Sequence, residues 1–94
     1  MTYIGVVNGM ALDLVKPQYP TSAKKLGIGG TVTVRVLIDP RGCVNESIAT
    51  AGPAILKPPS VKAAQSSIFS PTKLSGIPIW LYGMVVYQFL PKVR

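Results

Sequence analysis

Thr31–Gly42 reads TVTVRVLIDPRG, and its alternation decides the fold. Val32, Val34, Val36 and Ile38 fall on one side of an extended chain and Thr31, Thr33 and Arg35 on the other, because successive side chains of a strand point to opposite faces. The β-branched content suits a half-buried pleated surface. Asp39-Pro40-Arg41-Gly42 then reads as a turn, with proline at its first central position and glycine last. A second strand, Val44 to about Thr50, should return antiparallel. Its phase is ambiguous: Val44 and Ile48 mark one face, Ala49 and Ala51 the other. A bulge would reconcile them.

Toward the C-terminus, Gly52-Pro53 breaks the strand. Ser60 to Ile68 reads as a helix, with Val61, Ala64 and Ile68 at helical spacing, Ser60 as N-cap and Pro58-Pro59 outside the interior. Phe69-Ser70-Pro71 ends it, and Leu74 to Pro78 reads as a loop. Ile77–Leu90, IPIWLYGMVVYQFL, follows as a long final strand. It does not alternate: from Ile79 to Val86 every residue except Gly83 is large and apolar or aromatic. Both of its faces look ready to leave water.

Toward the N-terminus, Pro20 suits the first position of a two-turn helix and Gly27 its left-handed cap, with Lys24 and Lys25 at the carbonyl end. Ala23 and Leu26 share one of its faces. Before it, Ile4 to Leu12 places Asn8-Gly9 between two apolar runs, which reads as a hairpin. The expected architecture is α+β. A small three-stranded sheet, made of one hairpin plus the long C-terminal strand, carries two short helices on one face, with an N-terminal β-hairpin added. Residues 1–15 form an arm and 16–94 the body of a single domain.

Composition narrows the functions. The 94 residues allow one domain. The formal net charge is +7, but its cations are scattered and only Lys24 and Lys25 are adjacent. No nucleic-acid reading motif accompanies them, so a solvated basic surface is the simpler reading. With no histidine, zinc sites and histidine-based triads are excluded within the chain. Three carboxylates, Asp13, Asp39 and Glu46, offer little for acid–base catalysis. No enzyme activity, cofactor or metal is expected. Cys43 is alone and forms no internal disulfide. The final apolar stretch is too short for a membrane helix, which needs about 20 residues. Without a signal peptide the chain reads as soluble as given, or as a piece of something larger.

PQYPTSAKKLGIGGTVTVRVLIDPRGCV, Pro17 to Val44, resembles the C-terminal domain of TonB-type energy transducers. The resemblance lies in Tyr19-Pro20, Ala23 and Gly30, the valine alternation ending in Ile38-Asp39, then Gly42 and Val44. Phe69, Pro71, Gly76, Pro78, Gly83, Tyr87 and Phe89 continue it in order, so it runs from about Gly5 to Leu90. It implies a periplasmic domain tethered to the inner membrane by an N-terminal helix and proline-rich spacer, neither of which is present here. Its partners would be outer-membrane TonB-dependent transporters, gripped at a short apolar segment called the TonB box, which often carries an acid. Inner-membrane motor proteins would act through the absent N-terminal part. The chain departs from the pattern at Pro58-Pro59, at Ser67 where an aromatic residue is common, and in the apolar Trp80, Tyr82 and Met84.

On this resemblance the last strand lies at a sheet edge, whose unpaired backbone can receive a further strand. Ile79, Leu81, Val85, Tyr87 and Phe89 would face the helices; Trp80, Tyr82, Met84 and Val86 would face away. Gly83, Val85, Tyr87 and Gln88 complete the expected contact strand, and Lys16 and Gln18 match a segment that lies near the transporter in relatives. Two other readings compete. The strand could be covered by the N-terminal hairpin, or it could build a homodimer as a self-associating structural module. An RNA-binding module would instead need aromatics displayed among cations on the sheet face.

Overall fold

The computed structural model describes residues 2–91. Its centre is β3 (Gly30–Ile38), whose Val32, Val34, Val36 and Ile38 are all buried, as the alternation predicts. Antiparallel β4 (Val44–Ala51) returns beside it. The phase ambiguity of β4 is a real irregularity. Ile38 pairs with Val44 but Leu37 with Glu46, so Asn45 is extra; a second shift leaves Thr50 extra. Val44 and Ala49 therefore join the core while Ile48 is exposed.

The turn between these strands is tightly tied. Gly42 N–H donates to the Asp39 carbonyl at 2.9 Å, and Phe69 N–H donates to the Gly42 carbonyl at 2.8 Å. Gly42 has φ +91°, and a Cβ there would fall 1.9 Å from the Phe69 carbonyl oxygen, so glycine is required. The Asp39 carboxylate is buried in the same turn. It accepts from the backbone N–H of Arg41 and Cys43 and from Asn45 Nδ2, at 2.9, 3.0 and 2.9 Å.

The helices differ in detail from the sequence reading. α1 (Thr21–Lys25) has Pro20 as its N-cap and buries only Ala23; Leu26 is exposed. The main helix, α2 (Lys57–Gln65), begins before Ser60, after a 3-10 turn at Ala54–Leu56. Pro58 and Pro59 lie in its first turn, where their missing N–H groups would have had no partner. Ser60 is not the cap: buried, it donates to the Leu56 carbonyl at 2.8 Å. Ile68 leaves the helix for β5 (Ile68–Phe69). Ser67, at the position where an aromatic residue is common, is buried. Its hydroxyl donates to the Ala63 carbonyl at 2.8 Å and accepts the Val15 N–H at 3.0 Å. The expected loop at Leu74–Pro78 is a small hairpin, β6 (Lys73–Leu74) with β7 (Ile77–Pro78), turning on Ser75 and Gly76 at φ +52° and +80°.

The N-terminal hairpin does not form. β1 (Thr2–Val6) runs parallel to the final strand, β8 (Leu81–Phe89), and β2 (Ala11–Asp13) pairs antiparallel with β5. Asn8-Gly9 lies in a 3-10 turn, Asn8–Met10, between them. The main sheet is thus four-stranded in the order β1-β8-β3-β4.

Candidate functional site

Strand β8 is an interior strand in this sheet, not an edge. It pairs antiparallel with β3 along its whole length, from Leu81 opposite Ile38 to Phe89 opposite Gly30. On its other side lies β1, so the expected open edge is covered over most of its length. The physical reason is that the N-terminal segment brings its own backbone N–H and C=O groups to the edge that β3 leaves unpaired.

The cover is thin. Thr2, Tyr3 and Val6 stand opposite Leu81, Tyr82 and Met84, and one extra residue of β1 bulges near Gly5, which has φ +82°. Tyr3 and Val6 are 54% and 57% exposed, so β1 buries little of itself. Two residues just past it hold more firmly. Val7 is fully buried, and its N–H donates to the Met84 carbonyl at 2.8 Å. Asn8 behaves as a substitute strand residue: its Nδ2 donates to the Val86 carbonyl at 2.7 Å, and its Oδ1 accepts the Val86 N–H at 2.9 Å.

Gly83 makes room for this arrangement. A Cβ there would meet Val7 Cγ1 at 2.4 Å, so the isopropyl group of Val7 occupies the space a side chain would take. Beyond Asn8 the cover ends. Gln88, next in the outward-pointing alternation, is exposed and has no strand on that side among the described residues. At the other end, the first residue of β1 lies beside an apolar groove of about 390 Å³ lined by Thr2, Leu74, Pro78, Ile79 and Trp80. Trp80 is 42% exposed.

The sequence-derived candidates divide accordingly. Tyr82, Met84 and Val86 are half-buried on the face away from the helices, with the Arg35 guanidinium 6.0 Å from the Tyr82 ring centre. Val85 and Tyr87 point into the core. The Tyr87 hydroxyl donates to the Val15 carbonyl at 3.1 Å, and burial pushes its pKa up. Lys16 and Gln18 are not brought to this strand. They line a separate cleft of about 210 Å³ with Val15, Pro59, Lys62, Ala63 and Ser66, against α2. Sequence reasoning missed Val7, Asn8 and the Leu74–Trp80 groove. The signal for the first two was the competing reading in which the N-terminal segment covers the final strand.

A mixed four-stranded sheet with one main helix and a short, exposed strand laid along the apolar final strand defines the class as a small α+β domain. The family model described as Gram-negative bacterial TonB protein C-terminal matches residues 15–89. The chain belongs to the TonB C-terminal domain family. It is 33% identical over 67 residues to Protein TonB of Vibrio cholerae, covering 69% of this chain and 28% of that protein. The chain therefore spans under a third of the length of that relative. The solution NMR structure of the Pseudomonas aeruginosa TonB C-terminal domain matches with a TM-score of 0.64 at 23% identity, over 96% of this chain and 94% of that one. That likeness concerns the fold. Among the described residues no helix is long and apolar enough to cross a membrane.

Proposed function

We propose that this domain is the periplasmic grip of an energy transducer. It takes the TonB box of an outer-membrane transporter as an added strand along β8 and transmits the pull of an inner-membrane motor. The single observation that supports this most is the seating of β1: the outward side of β8 accepts an extended, apolar segment in strand pairing. About four backbone hydrogen bonds to a partner strand, each worth about 1 kcal/mol net, give weak binding alone. Contact with Trp80, Tyr82 and Met84 adds area at about 25 cal/mol per Å² before ordering costs. Catalysis has no part in this role, and the membrane is reached only through a tether outside this chain.

Titration with a synthetic TonB-box peptide, followed by Trp80 fluorescence, tests the reading. Saturable change at micromolar to millimolar peptide is expected. No change at millimolar peptide contradicts it. A homodimer through the same strand is the competing outcome, recognised by a dimeric mass that persists at nanomolar protein.

A further inference from the structure

We infer that Thr2–Asn8 is a resident ligand of the gripping slot, a latch that a partner segment must displace before the domain can hold it. The inference rests on the gripping function proposed above and adds the regulation of that site.

The latch has two fasteners and a weak middle. Val7 fills the socket over Gly83, fully buried, and the Asn8 carboxamide satisfies both backbone groups of Val86. Between Thr2 and Val6 the pairing is interrupted by the bulge and the side chains are largely exposed. Thr2–Val6 is held by strand pairing alone, because none of its side chains joins the core. Met84 and Val86 have their outward backbone groups committed to Val7 and Asn8. A partner strand needs those same groups, so partner and latch exclude one another.

Occupancy of the slot by its own segment lowers apparent affinity by the fraction of molecules in which it is open. A partner therefore competes best if it carries an apolar residue to refill the socket over Gly83. A segment that leaves the socket empty forfeits what Val7 supplies.

Two variants of the chain test this, with the synthetic TonB-box peptide as probe. Asn8→Ala removes one fastener and changes no residue of β8, and peptide affinity should rise about tenfold. The second variant carries Tyr3→Cys and Tyr82→Cys, which stand opposite one another, with Cys43→Ser to remove the exposed native thiol. Because Tyr82 belongs to the contact ridge, the reduced form binds more weakly than the unaltered chain, and only the ratio of the two redox states is read: the oxidised form, with the latch fastened by a disulfide, should bind at least tenfold more weakly than the reduced one. Comparing two redox states of one protein keeps the outcome independent of how Asn8→Ala folds. Equal peptide affinity in oxidised and reduced forms overturns the latch and leaves the grip standing. Absence of binding by the unaltered chain and by both variants overturns the grip and the latch together.

Discussion

Gly83 and Asp39 show how much single positions decide. At Gly83 the missing side chain is the socket for Val7. Gly83→Ala should destabilise the domain by about 1–3 kcal/mol, the usual range for overpacking, and should strip hydrogen-exchange protection from the Val7 N–H. Urea unfolding with amide exchange checks both, and unchanged protection contradicts the socket. At Asp39, burial alone would raise the carboxyl pKa. Hydrogen bonds from Asn45, from the Cys43 and Arg41 N–H groups and from the Arg41 side chain outweigh it and hold the pKa at about 2. A folded-state pKa below the ordinary value of 3.8 contributes stability above pH 4, and that stability is lost as pH falls from about 4 toward 2. Thermal melting of the unaltered chain should fall more steeply across that window than melting of Asp39→Asn, which is less stable at neutral pH and cannot titrate there.

At the scale of elements, legibility follows locality. β3 can be read outright, since one face is buried and the valines mark it. The β3–β4 turn is legible because Pro40 and Gly42 fix its geometry locally. The site is half legible: the apolar run of β8 announces a strand with two dry faces, and its alternation turns Tyr82, Met84 and Val86 away from the helices. Its place in the sheet is legible only through the competing reading of N-terminal cover: the N-terminal segment does cover β8, as one parallel strand rather than as a hairpin. Asn8-Gly9 has the local signature of a hairpin, yet the Asn8 side chain spends its donor and acceptor on Val86 instead, and tertiary pairing prevails over the local turn. The α2 start is misread for a related reason, since consecutive prolines end a helix in general but begin one in its first turn. Ser67 ties the end of α2 to the segment leading out of β2. Ser67→Ala leaves the Val15 N–H without that partner and should cost about 1–3 kcal/mol, measurable by urea unfolding. A change below about 0.3 kcal/mol, the scatter of additive surface effects, contradicts the tie.

Taken whole, the molecule is a narrow body of 51 × 21 × 17 Å with a net charge of +7 over its 94 residues. An excess of positive charge favours encounter with an acid-bearing segment and is screened by salt. Raising ionic strength from about 0.01 to 0.15 M shortens the Debye length from about 30 to 8 Å. Stopped-flow association of an acidic box peptide should slow several-fold over that range while dissociation changes little. An unchanged on-rate contradicts a steering role for the charge. The outward side of β8 is, on this reading, one slot with two claimants. Amide hydrogen exchange of the Val7 and Val86 N–H groups, with and without saturating box peptide, tests this directly. Peptide should leave Val86 protected while Val7 becomes as fast as an open chain. Retention of Val7 protection in the bound state, or a response confined to the cleft of Lys16 and Gln18, contradicts the shared slot.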